Sequence, residues 1–281
     1  MKEKVTVPSL IRKRVHGEKI TMISTYDFTF ASLCNQASID VLLVGDSLGN
    51  VIQGHQTTLP VTLDEMIYHT KAVSRASTHS LVVSDLPFMS YQVSPEDALR
   101  ASGRLMKQAG AEAVKLEGGM EVLDSVSKIV RSGIPVMGHL GLTPQSVHML
   151  GGYKLQGNSS AKLHSLVNSA KALEEAGAFA IVLELLPQET ARAITESVAI
   201  PTIGIGAGPH CSGQVLVSYD LLGITAEPEK KQPKFLKKYL EGSQLFLQAF
   251  SQFAEEVRNG TYPAEVHSYS SLKLQNGGRE V

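Results

Sequence analysis

Three short apolar runs in the chain end at carboxylates. Residues 41–44 are all apolar, and Asp46 and Ser47 follow within three positions. Runs this short and this apolar are typical of strands buried on both faces of a parallel sheet. Two later runs end in the same way, one at Asp85 and one at Glu117. One such acid can simply cap the next helix, but three at the same end of three strands favour a hard cation that they share.

Apolar runs alternate along the chain with stretches that have apolar residues at helical spacing. Caps mark several of these helices, for example Thr62 with Glu65 three residues later. About eight strands alternating with helices predict an α/β protein, a single (β/α)8 TIM barrel domain over residues 1–281. A closing helix is predicted over residues 234–257, and we expect the polar tail from about residue 269 to be disordered.

The connections between some of the predicted strands are unusual. Loops 48–61 and 141–160 are longer than a plain strand-to-helix connection needs. The strands predicted at 201–208 and 214–219 are separated only by residues 209–213, whereas a parallel crossover needs about a dozen residues. Either this unit has lost its helix or one of the two strands is misassigned.

The composition of the chain excludes several classes of function. A formal net charge of -1 gives no electrostatic reason to bind nucleic acid or an anionic membrane surface. Cys34 and Cys211 are too few for a disulfide framework and lie in no zinc motif. Residues 1–17 lack the apolar region of a secretory signal, and no segment approaches the roughly 18 apolar residues of a membrane span. We therefore expect a soluble, cytoplasmic protein.

Side chains capable of chemistry follow six of the predicted strands. They are Asp27, Asp46 with Ser47, Asp85, Lys115 with Glu117, His139, and Glu184. The active sites of (β/α)8 barrels lie at the C-terminal ends of the strands. At any single position a helix cap or a satisfied polar residue is the commoner explanation. Helix caps, however, do not require five acids, a lysine and a histidine at one end of a barrel.

Carboxylate and hydroxyl oxygens favour Mg²⁺ over Mn²⁺ or Ca²⁺ as the shared cation. A 2-oxo acid chelates such a metal through a carboxylate oxygen and its keto oxygen, and the metal then stabilises an enolate. Lys115 lies two residues before Glu117 on the same strand, so it can neutralise the substrate carboxylate. A Schiff base on Lys115 ranks lower because a metal makes it redundant. Glu184 is the candidate base, and we expect it to be buried without a cationic partner.

Longer motifs around these residues resemble one enzyme family. The segments GDSLG at 45–49 and QGHQTTLPVT at 53–62 are similar to those of ketopantoate hydroxymethyltransferases, and the similarity extends over about residues 20–268. The resemblance implies the phosphoenolpyruvate mutase/isocitrate lyase-like form of the barrel. It also implies transfer of a hydroxymethyl group from 5,10-methylenetetrahydrofolate to 3-methyl-2-oxobutanoate. The product is 2-dehydropantoate (ketopantoate), in the first step of pantothenate biosynthesis.

The resemblance also implies roles for individual residues. It assigns Mg²⁺ to Asp46, Asp85 and Glu117. It assigns contacts with the oxo acid to Asp46, Ser47, Asp85 and Lys115. It assigns proton abstraction to Glu184, and we place His139 among the substrate contacts. A homo-oligomer, a decamer in several bacteria, and a cytoplasmic location are implied as well.

The chain departs from the family pattern at Ser212, where the family usually has Asp, and at Tyr219, where it usually has His. Both positions lie near the short seventh connection, so the departures concern the local loop and the folate side of the pocket, not the metal centre.

Two alternative functions stay open. A carbon–carbon lyase or mutase of the phosphoenolpyruvate mutase/isocitrate lyase kind shares the fold. Lyases of that group use a cysteine at a strand end, whereas Cys34 lies in a predicted helix and Cys211 in a loop. A non-catalytic barrel that serves binding or assembly has no reason to keep the complete set of acids, including Glu184.

Overall fold

The computed structural model of the protein describes residues 3–225 and 233–269. Eight parallel strands pair in chain order, and the last pairs with the first, so the barrel is closed. The strands are β1 Ile20–Ser24, β2 Val41–Val44, β3 Leu81–Asp85, β4 Ala113–Lys115, β5 Val136–Gly141, β6 Ala180–Glu184, β7 Thr202–Ile205 and β8 Gly213–Val217. The predicted (β/α)8 barrel is therefore confirmed.

Helices precede, connect and follow these strands. They are α1 Val7–His16, α2 Phe28–Gln36, α3 Leu48–Val51, α4 Leu63–Ala76, α5 Pro95–Arg104, α6 Leu123–Arg131, α7 Val147–Leu150, α8 Ser160–Glu175, α9 Gln188–Ser197, α10 Ser218–Leu221 and α11 Gly242–Asn259. The predicted capping box at the start of α4 is present, because Thr62 and Glu65 each accept a hydrogen bond from the backbone of the other. None of the described helices is both long and apolar enough to cross a membrane.

The apolar strands are buried on both faces. One apolar cluster fills the inside of the barrel, and a second lies between the barrel and its surrounding helices. Leu43, Val83 and Val182 point into the barrel, and Leu10 of α1 packs with this inner cluster. Alternate residues such as Leu42 and Val82 point outward and pack beneath the helices. Side chains alternate between the faces of a strand, so each strand contributes to both clusters.

The connection between β7 and β8 contains no helix, so this unit is degenerate and both strand assignments were right. The strands pair in parallel only at Ile203 with Gly213 and at Gly204 with Gln214. Because β8 starts beside the middle of β7, the connection has to return along only part of the length of β7 before β8 begins. Positive φ angles at Gly206 and Gly208, 62° and 76°, allow the tight turn.

Several predicted boundaries were wrong. The loops 48–61 and 141–160 contain the one-turn helices α3 and α7, which are too short for a helical repeat to show in the sequence. The closing helix begins at Gly242, not at residue 234. The backbone N–H groups of Tyr239 and Gly242 instead donate to the carbonyls of Leu221 and Leu222. The predicted disorder of the tail concerns residues that lie almost wholly outside the described part of the chain.

Helix α11 exposes an apolar face that the described part of the chain does not cover. Phe246, Phe250, Phe253 and Val257 follow one another at helical spacing and are all exposed, Phe250 to 70 %.

Candidate active site

Ionisable side chains occupy inward-facing positions at or near the C-terminal ends of four neighbouring strands. Position 85 continues the inward-facing series of Leu81 and Val83, and the same alternation places Lys115, His139 and Glu184 inside the barrel end. Asp85 and Lys115 are direct partners in the register of β3 and β4. Side chains alternate between the two faces of each strand. The same inward-facing series is therefore apolar toward the N-terminal end of the barrel and brings the predicted residues together at the C-terminal end.

These four side chains form a continuous row across the barrel. Lys115 Nζ lies 2.9 Å from Asp85 Oδ1 and 3.4 Å from His139 Nδ1. His139 Nε2 lies 3.2 Å from Glu184 Oε2, and its Nδ1 lies 3.5 Å from Glu117 Oε1. The expectation that Glu184 has no cationic partner was therefore wrong, since His139 stands beside it.

Burial and charge shift the pKa values of the basic groups in this row. Burial lowers the pKa of Lys115, but the neighbouring carboxylates, Asp85 first among them, outweigh it and keep the amine protonated. Burial and the charge of Lys115 also lower the pKa of His139. Its contacts with Glu117 and Glu184 outweigh both and raise it to about 9.

Asp46 and Ser47 lie in the turn after β2, against the same row. The backbone N–H of Asp46 donates to Asp85 Oδ2 at 3.1 Å. Ser47 begins α3 without making a side-chain cap, and its hydroxyl instead lies 2.8 Å from that of buried Tyr26. The cap interpretation therefore fails for Ser47. It holds for Asp27, whose carboxylate caps α2 by accepting from the N–H of Phe30.

The two departures from the family pattern lie at opposite ends of the barrel. Ser212 directly precedes β8 and exchanges hydrogen bonds with buried Thr202 at the start of β7. It is therefore remote from the acids, as expected for a position in the short seventh connection. Tyr219 follows β8 at the other end, where its ring packs against Tyr26 and Phe30.

The acids at the barrel end have the chemistry of a magnesium site. Asp46, Asp85 and Glu117 are all buried, and burial, with repulsion from the other two, raises the pKa of Asp46 to about 8. Within the described ranges, no three His, Cys, Asp or Glu side chains already converge as ligands of one ion. Mg²⁺ does not require this, because it usually binds through one or two carboxylates and keeps several waters. The oxygen-only donors and the surplus of buried acid fit this cation.

Sequence reasoning missed Gln145 and Tyr91, which bind the same acids. Gln145 Nε2 donates to Asp46 Oδ2 at 2.8 Å, and the hydroxyl of Tyr91 lies 2.9 Å from Gln145 Oε1. Both residues come from loops and carry no charge, so no pattern of acids or strand ends points to them.

The fold of the chain is similar to that of barrel enzymes of the phosphoenolpyruvate mutase/isocitrate lyase type. The structure of phosphonopyruvate hydrolase in complex with oxalate and Mg²⁺ matches it with a TM-score of 0.60 and 12 % identity, over 94 % of this chain and 92 % of that one. That of 2,3-dimethylmalate lyase, a member of that superfamily, matches with a TM-score of 0.56 and 16 % identity, over 96 % and 91 %. At these identities the likeness concerns the fold alone.

Sequence comparison then defines the family. The family model for ketopantoate hydroxymethyltransferase matches residues 4–265, and the chain belongs to this family. The 3-methyl-2-oxobutanoate hydroxymethyltransferase of Geobacter metallireducens is 52 % identical over 270 residues, which cover 96 % of this chain and 100 % of that protein. The enzyme of the same name from Syntrophus aciditrophicus is 52 % identical over 266 residues, covering 95 % and 97 %. The resemblance found in the sequence is confirmed.

Proposed function

We propose that this hydroxymethyltransferase converts 3-methyl-2-oxobutanoate into 2-dehydropantoate, the first step of pantothenate biosynthesis, with 5,10-methylenetetrahydrofolate as the one-carbon donor. Membership of the family supports the reaction type. The observation that carries the proposal is the row from Asp85 to Glu184, which sets a protonated amine for the substrate carboxylate on one side and a carboxylate base on the other.

Asp46, Asp85 and Glu117 are the residues that we assign to Mg²⁺. Their shared burial supports this assignment, because a divalent cation offsets the repulsion between three acids in one buried site. When bound, Mg²⁺ would supply a Lewis acid that polarises the carbonyl group of the oxo acid.

Lys115 and Ser47 are the residues that we assign to the oxo acid, together with Asp46 and Asp85. The Lys115 amine is protonated, so it can neutralise the carboxylate of the substrate. A protonated amine is not a nucleophile, which argues against the alternative of a Schiff base. The Ser47 hydroxyl makes no cap and is held by Tyr26, so it can donate to a substrate oxygen.

Glu184 is the group that we assign to removal of the C3 proton of the oxo acid. Its side chain is 17 % exposed and lines an open cavity of about 1490 Å³. Because His139 Nε2 lies beside Glu184 Oε2, the imidazole can fix the orientation of the base. A direct contact of His139 with the substrate stays a prediction.

The same cavity is where we place the folate donor. Tyr153, Leu155 and Phe235 line it together with Glu184. Aromatic and aliphatic side chains bind a flat ring well. A one-carbon donor in this position would approach the substrate from the side of the base.

The proposed reaction is tested by mixing the purified protein with Mg²⁺, 3-methyl-2-oxobutanoate and 5,10-methylenetetrahydrofolate. Mass spectrometry is expected to show 2-dehydropantoate, and omission of Mg²⁺ or of the donor is expected to abolish it. A lyase would instead cleave a substituted malate without folate, and a non-catalytic barrel would show neither reaction. Either of those results would overturn the proposal.

We further propose that the chain forms a homo-oligomer through α11; a decamer and a cytoplasmic location stay predictions. The cavity extends to Ile23 and Leu216 on the outer wall of β1 and β8, which stay only half-buried. Helix α11 exposes an apolar face, and the outer wall of β1 and β8 can be covered by such a face. A second copy of the chain, with its α11 packed on this wall, is therefore the partner that buries both surfaces.

Light scattering tests this assembly with two substitutions that add the same charge to α11. Phe250→Glu places the charge on the exposed apolar face, so we expect a lower molar mass than for the wild-type protein. Gln248→Glu places it on the opposite, polar side of the helix, so we expect an unchanged mass. An assembly that survives Phe250→Glu would exclude this face as the contact.

A further inference from the structure

One loop residue reaches two of the proposed metal ligands, which come from different strands. Gln145 lies in the turn Pro144–Ser146 after β5 and is only 6 % exposed. Its side-chain Nε2 donates to Asp46 Oδ2 at 2.8 Å, and its backbone N–H donates to Glu117 Oε2 at 2.9 Å. A single residue thus joins the acid that follows β2 to the acid that follows β4.

The side-chain amide of Gln145 is saturated with hydrogen bonds. Nε2 also donates to the carbonyl of Leu86 at 3.0 Å. Oε1 accepts from the hydroxyl of Tyr91 at 2.9 Å and from Gln92 Nε2 at 3.0 Å. A primary amide has two N–H donors and two acceptor positions, and all four are used here. Rotating the amide by half a turn would set its oxygen against the Asp46 carboxylate, so the network fixes one orientation.

Tyr91 connects this amide to the backbone of Glu117. Its buried hydroxyl accepts from the N–H of Glu117 at 3.2 Å. Its single proton lies between two acceptors, Gln145 Oε1 at 2.9 Å and the carbonyl of Glu117 at 3.0 Å. Gln145 therefore holds the carboxylate of Glu117 while Tyr91 holds its main chain.

The strand register does not fix the carboxylates of these two acids. Asp85 is the last residue of β3 and pairs with Lys115 in the strand register. Asp46 and Glu117, in contrast, each lie two residues beyond the end of their strand. Two buried carboxylates repel each other, so without a further contact their positions would drift apart.

We propose that Gln145 is a positioning residue for the cation site, an inference that rests on the proposed Mg²⁺ site. It sets the separation of Asp46 and Glu117 by donating to one oxygen of each, which leaves Asp46 Oδ1 and the His139-facing Oε1 of Glu117 as the oxygens for the cation. A neutral donor suits this task, because it orients a carboxylate without cancelling the charge that attracts the metal. Lys115 holds Asp85 by an ion pair instead.

The test is the affinity for a divalent cation in the absence of substrate. Gln145→Asn keeps a polar amide in the buried turn but is one methylene too short to reach Asp46. Gln145→Leu removes the side-chain hydrogen bonds and keeps the backbone donor to Glu117. Electron paramagnetic resonance with Mn²⁺ and calorimetry with Mg²⁺ are expected to show binding about 10- to 100-fold weaker than in the wild-type protein for both variants.

A matched control and a fold measurement make the result specific. Gln108→Leu makes the same change at an exposed residue whose side chain accepts from Arg104, outside the group of acids, and is expected to leave Mn²⁺ affinity unchanged. Thermal unfolding without metal shows whether each variant is folded. If Gln145→Leu does not fold, Gln145→Asn decides.

Each outcome has a distinct meaning. A folded Gln145→Asn protein with a lower melting temperature but wild-type Mn²⁺ affinity would show that the residue serves only the fold, and would overturn the inference. A wild-type protein that binds neither Mn²⁺ nor Mg²⁺ would instead overturn the proposed metal site.

Discussion

Replacing Glu184 by Gln is expected to slow exchange of the C3 hydrogen of 3-methyl-2-oxobutanoate in D₂O by about 10²- to 10⁴-fold, the usual contribution of a positioned base. The bound metal would acidify this hydrogen, so exchange does not require the folate donor. Gln has nearly the same shape as Glu and can still place an oxygen beside His139. The variant is therefore expected to bind metal and substrate while losing the group that takes the proton.

Proton NMR of the C3 signal over time measures this exchange directly. The wild-type protein with Mg²⁺ and no donor is expected to lose the signal. Glu189→Gln, five residues further along and exposed at the start of α9, makes the same change outside the site and should exchange at the wild-type rate. Equal rates in the wild-type protein and Glu184→Gln would remove Glu184 from the role of base.

The geometry favours Glu184 over His139 as the base. His139 is 3 % exposed, and its two ring nitrogens lie 3.5 Å and 3.2 Å from carboxylates of the protein. Glu184 Oε2 shares one of these contacts, but the Glu184 side chain also borders the open cavity. Only the glutamate is therefore placed to meet a C–H group that enters from solvent.

The row from Asp85 to Glu184 could be predicted because it depends on a local rule. Alternation along a strand fixes which residues face inward, and the apolar runs show where each strand ends. Lys115 and His139 follow from the same rule without knowledge of any tertiary contact. The residue types then suggest the chemistry.

The rest depended on contacts between distant parts of the chain. Gln145 joins acids that lie 99 and 28 residues away in sequence, so nothing in its own segment indicates its function. Helix α11 starts late because residues 239–242 are bonded to the segment after α10. Ser212 lies away from the site because β8 begins beside the middle of β7. Each of these features is set by the register or contacts of another element.

Removing Asp85 and removing the charge of Glu117 are both expected to abolish Mg²⁺-dependent turnover, but with different effects on the fold. Asp85 Oδ1 lies 2.9 Å from the amine of Lys115, and both side chains are buried. Asp85→Ala therefore leaves a buried ammonium without its nearest partner, which is expected to lower the free energy of unfolding by about 3–5 kcal/mol. Glu117→Gln keeps the volume of the side chain and one oxygen that can accept from the backbone N–H of Gln145, so it should cost much less stability.

The two variants separate charge balance from metal binding. Calorimetry with Mg²⁺ is expected to show a large loss of affinity in both proteins, whereas urea unfolding is expected to show the large stability loss only in Asp85→Ala. Glu121→Gln, at an exposed position four residues after Glu117, is the matched control and should resemble the wild-type protein in both measurements.

Mg²⁺ binding with unchanged affinity to Asp85→Ala and Glu117→Gln would exclude these acids as ligands. An unchanged unfolding free energy in Asp85→Ala would instead show that Asp46 or Glu117 takes over as partner of Lys115, since both already contribute to holding its amine protonated.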